Sequence, residues 1–398
     1  MTNSQALIFK KGVLAASLTR QASSIEFKYD DTYLASDAPA VATTLPKSPS
    51  IISLSGGAAP AYFAGLLPEG RRLSAIVSRL GTSLDDDLSV LLEIGADVIG
   101  DVQILQSGAS ASAARDVLML PIDLSEVSFE ELRDRYFGSR ASGLPGVQDK
   151  VSSKMLNTRA RMANMDYILK LNPAEVPFAV ENEAFFLKLA RSCEIQTANF
   201  KVLTDKGGKQ ALLLERFDRI ASKTGTRRMA QEDGCQVMNA YPAAKYNVDF
   251  IEMSQSLIGT CPAGDVASYE LFKQLVFSWL IGNGDAHAKN FSILESTSGE
   301  WRISPAYDLL CTRFYEDRGS RDMALAVGGS TSGWTRTFLL DAATKLGVLK
   351  HAAAFVIDFQ LKQLKDLPEQ ILHGALPFRR DQNIEVADFL KRRARALA

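Results

Sequence analysis

Apolar positions along this chain follow two different periods, and the change from one to the other falls near its middle. In the first hundred residues short apolar runs are cut by polar punctuation. Residues 6–9 (Ala-Leu-Ile-Phe) and 25–29 (Ile-Glu-Phe-Lys-Tyr) read as strands, and residues 50–54 (Ser-Ile-Ile-Ser-Leu) as a third. Residues 66–73 open a helix. Residues 85–93 begin another, with Asp85, Asp86 and Asp87 in its first turn, where the helix dipole favours acids. Residues 100–105 close this unit as a strand.

The stretch 106–116 is rich in Ser, Ala and Gly and predicts a linker. After it, residues 129–137 predict a helix, 141–150 a glycine-containing loop, 167–171 a strand and 181–190 a helix with a wide apolar face. Residues 200–203 and 211–217 predict further strands. Beyond Phe217 the pattern turns mostly helical. Within residues 269–281, Phe272, Leu275, Val276, Trp279 and Leu280 keep the i, i+3, i+4, i+7, i+8 spacing of a buried helix face. The expected class is α+β: a small N-terminal α/β domain over residues 1–105, the linker, a strand-rich part over 117–217 and a helix-rich part over 218–398.

Composition narrows this picture only modestly. A chain of 398 residues is too long for one ordinary core and suggests two or three packed units. A net charge of −1 argues against a free-standing nucleic-acid binder. Cys193, Cys235, Cys261 and Cys311 show no C-x-x-C spacing, so they fit a reduced protein better than a bridge or a zinc site. Three histidines are too few and too scattered for a His-based metal cluster. The absence of a signal peptide pattern or a membrane-length apolar run leads to the expectation of a cytoplasmic protein without a membrane partner.

Chemistry concentrates between residues 278 and 308. Asp285 and Asn290 lie five residues apart, after an apolar helix and before an apolar strand, and Asp308 comes later in another loop. Phosphoryl transfer needs an Asp to orient the attacking hydroxyl, and an Asn and a further Asp to hold Mg²⁺, so Asp285 is the expected base and Asn290 and Asp308 the expected metal ligands. Turn chemistry is the ordinary alternative for such residues, and three loops in the required order favour the first reading. Lys289 is set down as a catalytic lysine neutralising the transferred phosphate, against the alternative of a solvated side chain. His287 is expected to brace the loop at the cofactor rather than bind metal. Lys170, inside an apolar strand, reads as a contact to ATP phosphates held by a carboxylate of the next helix, Glu183 first and Glu181 second; a strand lysine reaching water is the alternative. The loop from Gly143 to Lys150, with Gly146, Val147 and Gln148, offers backbone N–H groups that suit phosphates, or is a surface turn. Glu215 and Phe217 end a strand between the two parts, where backbone groups suit an adenine edge; an ion-paired strand end is the alternative.

Taken in order, these residues resemble the HipA family of serine/threonine protein kinases, the toxins of bacterial HipA–HipB modules. The resemblance is carried by residues 63–70 (Phe-Ala-Gly-Leu-Leu-Pro-Glu-Gly), 94–100, 146–150, 167–170, 181–183, 214–219, 231–236, 285–292, 305–308 and 323–329. It implies a small N-terminal domain followed by a two-lobed kinase with a helix-rich C-terminal lobe and ATP and Mg²⁺ in the cleft. Lys170 then matches the ATP-binding lysine, Glu215 and Phe217 the hinge, Asp285 the catalytic aspartate, and Asn290 and Asp308 the Mg²⁺ ligands. It also implies a HipB-like helix-turn-helix antitoxin as partner, contact with DNA only through that antitoxin, and a protein substrate such as an aminoacyl-tRNA synthetase. One departure concerns the loop: family members place an autophosphorylated Ser where this chain has Gly143, so Ser142 becomes the candidate for self-phosphorylation. Two other functions remain open from the residues, a kinase-fold enzyme acting on a small-molecule hydroxyl and a non-catalytic co-repressor.

Overall fold

A computed structural model of the chain describes residues 4–108, 118–121, 123–137, 156–162, 165–173, 175–222, 225–315 and 323–398. Strands β1 (Gln5–Lys10), β2 (Val13–Arg20), β3 (Ser24–Tyr29), β4 (Ile52–Ser55) and β5 (Val102–Gln106) form one antiparallel sheet in the order β4-β3-β2-β1-β5. Alternation places Ala6 and Ile8 of β1 and Ile25 and Phe27 of β3 in a core closed by the helices Ala61–Gly65, Gly70–Leu80 and Asp87–Ile94. Strand β2 does not stand out in the sequence. A register shift between Ile8 and Phe9 breaks its alternation, so that Ala15 and Ala16 are both buried.

A second sheet is built from β6 (Leu118–Met119), β7 (Leu156–Met162), β8 (Met165–Leu171), β9 (Phe200–Thr204) and β10 (Gln210–Glu215) in the order β6-β7-β8-β10-β9. Both faces of β10 are covered. Leu212 and Leu214 face the helix Ala179–Ser192 and the large C-terminal core, while Ala211 and Leu213 face a small core with Leu169, Leu171 and Phe129. A strand buried on both sides reads as a continuous apolar run, which is the form of residues 211–214. The expected linker at 106–116 and the loop at 141–150 fall largely or wholly outside the described residues.

The remainder is mostly helical, as its pattern predicts, with two small sheets added: β11 (Arg219–Ser222) with β12 (Gly225–Arg228), and β13 (Gln231–Asp233) with β14 (Ser292–Glu295) and β15 (Trp301–Ile303). At its centre the helix Gly264–Ile281 carries the expected apolar face. It is enclosed well beyond that face, for Lys273, Gln274, Phe277 and Ser278 are buried as well. Among the described residues no helix is long and apolar enough to cross a membrane. All four cysteines are buried thiols outside any disulfide.

Candidate active site

The central helix stops at Gly282, whose φ of +74° lets the chain reverse and the Asn283 N–H donate back to the Ser278 carbonyl at 2.9 Å. Past this turn the chain enters the loop that carries Asp285, His287, Lys289 and Asn290. The loop is tied internally: the His287 N–H donates to Asn290 Oδ1 at 2.9 Å, and the Asp285 N–H to Asn283 Oδ1 at 3.3 Å. A second loop, residues 304–310, lies against it. The Asn283 amide donates to the Asp308 carbonyl at 3.1 Å, and the Tyr307 hydroxyl to the Lys289 carbonyl at 2.7 Å. Asp308 itself has φ +54°, a left-handed conformation that a non-glycine residue adopts at some cost and that recurs at functional sites.

Three of the expected residues meet at one point. Asn290 Nδ2 donates to Asp308 Oδ2 at 3.0 Å, and Asp308 Oδ1 accepts from the Lys170 ammonium. Lys170 also donates to both oxygens of Glu183 at 2.8 and 2.9 Å. Glu181, the second choice, is taken by the Asn172 amide at 2.8 Å instead. Lys170 is 4% exposed and Glu183 0%. Burial alone would lower the lysine pKa, but the carboxylates of Asp308 and Glu183 outweigh it and hold it above the usual lysine range. Glu183 is pushed up by burial, with Lys170 opposing that shift.

The cluster lies at the wall of a cavity of about 340 Å³ lined by Lys170, Leu214, Glu215, Phe217, His287, Lys289, Asn290, Tyr307 and Asp308. That size suits a small ligand or cofactor. Phe217 packs on Tyr307 with ring centroids 6.0 Å apart. The N-terminal domain adds Gly65, Leu66, Leu67, Glu69 and Val98 to the lining, a contribution that the sequence pattern does not anticipate. Lys289 points toward these residues: its ammonium donates to the Gly65 carbonyl at 2.8 Å and Asp233 at 2.9 Å, with Glu69 at 3.9 Å. Asp285, 3% exposed, accepts from the Tyr246 hydroxyl at 2.9 Å. Tyr246 lies 39 residues away in sequence, and no spacing signals it. Gly146, Val147, Gln148, Lys150 and Ser142 lie outside the described residues.

A cavity between a five-stranded lobe and a helical lobe, with a strand lysine paired to a helix glutamate at its edge, defines a kinase-like two-lobed fold. The HipA N-terminal domain matches residues 6–105 and the HipA-like C-terminal domain residues 142–367. The chain belongs to the HipA family. It is 30% identical over 325 residues to the putative kinase Y4mE of Sinorhizobium fredii, spanning 75% of this chain and 76% of that protein. It is 26% identical over 293 residues to the serine/threonine-protein kinase toxin HipA of Shewanella oneidensis, spanning 67% and 66%. In fold it is similar to HipA in the Shewanella oneidensis complex of HipA, HipB and operator DNA, with a TM-score of 0.74, 20% identity and coverage of 98% of this chain and 95% of that one.

Proposed function

We propose that this chain is an ATP- and Mg²⁺-dependent serine/threonine protein kinase that acts as a growth-inhibiting toxin in the cytoplasm. The observation that carries the reading is the convergence of Lys170, Asp308 and Asn290 on the lining of one cavity, from a strand and two loops, with Glu183 of a helix paired to Lys170. Residues 117–217 then form the N-lobe and 218–398 the C-lobe, with the N-terminal domain in front.

The residues fit the cofactor. The buried, charge-stabilised ammonium of Lys170 suits phosphate oxygens, and the side-chain oxygens of Asp308 and Asn290 suit a hard cation. Bound Mg-ATP supplies the phosphoryl group. Lys170 neutralises phosphate charge and is held in place by Glu183. Asn290 and Asp308 hold the metal, Glu215 and Phe217 border the adenine, His287 braces the loop and Lys289 adds positive charge near the cleft. Gly146, Val147, Gln148 and Lys150 are the proposed phosphate-binding residues. Asp285 orients the incoming hydroxyl and accepts its proton, so that catalysis rests on positioning and charge neutralisation. Ser142 is the candidate acceptor for self-phosphorylation. The Shewanella oneidensis relative supports a HipB-like antitoxin as partner and contact with operator DNA through it. A translation component such as an aminoacyl-tRNA synthetase is the proposed target.

The test is transfer from γ-labelled ATP with Mg²⁺ in lysate of the host, by the wild-type chain and by Asp285→Asn. A discrete labelled protein band is expected with the wild type, and a rate lower by about a thousandfold with the variant. Wild-type turnover by Asp285→Asn would remove Asp285 as the base. Label entering only small molecules would move the substrate to a metabolite hydroxyl.

A further inference from the structure

Tyr246 reaches Asp285 from outside the two site loops. Its hydroxyl donates to Asp285 Oδ1 at 2.9 Å, while its ring stands edge-on to His287 with centroids 5.1 Å apart. The backbone beside it is tied to the same loop, because the Ala288 N–H donates to the Lys245 carbonyl at 3.0 Å. Lys245, buried, sends its ammonium across to Glu69 of the N-terminal domain. The pair Lys245–Tyr246 is thus held at one end by Glu69 and holds the Asp285 loop at the other.

We infer that Tyr246 is a positioning residue for phosphoryl transfer: its hydroxyl fixes the rotamer of Asp285 so that the carboxylate is presented to the incoming hydroxyl. This rests on the reading of Asp285 as the base. A carboxylate that loses this hydrogen bond gains freedom about its two side-chain single bonds, and misplacement of a base by a fraction of an ångström is costly when catalysis depends on alignment. Hydrogen bonds to charged groups are among the stronger ones, so the tether is able to hold the rotamer. Through Lys245 and Glu69, the N-terminal domain contributes to this alignment.

Tyr246→Phe keeps the ring against His287 and removes only the oxygen. With the full chain, the lysate band labelled by the wild type serves as acceptor, and its labelling rate is followed as ATP is varied. The variant is expected to lose about tenfold in kcat, the scale of one hydrogen bond to a charged group, with KM for ATP within about twofold of wild type. Thermal denaturation of Tyr246→Phe, Asp285→Ala and the double variant gives a readout free of activity: the Tm losses of the single variants should sum to more than that of the double. Additive losses, an unchanged kcat, or faster transfer (the result expected if Tyr246 blocks the acceptor position) would each overturn the inference while leaving the kinase reading intact. An inactive wild-type chain would overturn both.

Discussion

A lysine buried within an apolar strand has to be answered by carboxylates, and the residue scale of this protein turns on how Lys170 is answered. It lies between Leu169 and Leu171, opposite Leu212 in the neighbouring strand. This out-of-place charge is legible in the sequence, as is the choice of Glu183 as its partner from the next helix. The contact with Asp308 is not, because it joins residues 138 positions apart and no local period encodes such a meeting. Asp308→Asn tests the proposed metal role of Asp308. The amide keeps the side-chain shape and tolerates φ +54° about as well as Asp, so the fold should persist. Calorimetric titration should show Mg-dependent ATP affinity falling about tenfold or more, with one charged ligand gone. Unchanged affinity would overturn the proposed metal role of Asp308.

At the scale of elements, the strongly periodic pieces are the legible ones. The helix Gly264–Ile281 and the strands β8 and β10 have patterns that burial explains directly. Strand β7 escapes a reading of the sequence because buried Thr158 and Arg159 stand between its two buried apolar residues, Leu156 and Ala160, and break the apolar alternation. Arg159 is accommodated by donating to backbone carbonyls of the N-terminal domain, Ile94 at 3.3 Å and Asp97. The end of the central helix is a tightly constrained junction. A Cβ on Gly282 would lie 2.9 Å from Phe389 Cε1 and 3.3 Å from Cys311 Sγ, at φ +74°. Gly282→Ala should therefore destabilise the chain by about 1–3 kcal/mol, measured as a lower midpoint in urea. A midpoint equal to that of wild type would mean that the loop after the helix is not held by this turn.

Across the whole molecule, the N-terminal domain is joined to the lobes through a buried ion network. Asp97 binds Arg216 at 3.1 Å and Arg219 at 2.8 Å, Asp218 binds the same two arginines at 2.8 Å each, and the Gly100 N–H donates to Asp218 at 2.8 Å. Burial would raise both carboxyls, but the arginines outweigh it and hold Asp97 and Asp218 below the usual carboxylate range. A depressed folded-state pKa stabilises the fold above the ordinary range near pH 4, and that contribution is lost as pH falls through the depressed value. The urea midpoint should accordingly drop as pH is taken from about 4 toward about 2. Asp97→Ala should cost about 3–5 kcal/mol at pH 7, by leaving buried arginines short of a partner, and should flatten that acid dependence. An undiminished acid slope in the variant would place the sensitivity elsewhere.

The same junction bears on how such a chain is inherited. Residues 97 and 100 and residues 216–219 are read from distant stretches of the gene, yet neither side is chemically complete alone. A C-terminal part exchanged for another would arrive with arginines that its new neighbour does not neutralise. The two halves are thus expected to travel together through recombination, and a change at Asp97 to be tolerated only alongside a matching change at Arg216 or Arg219.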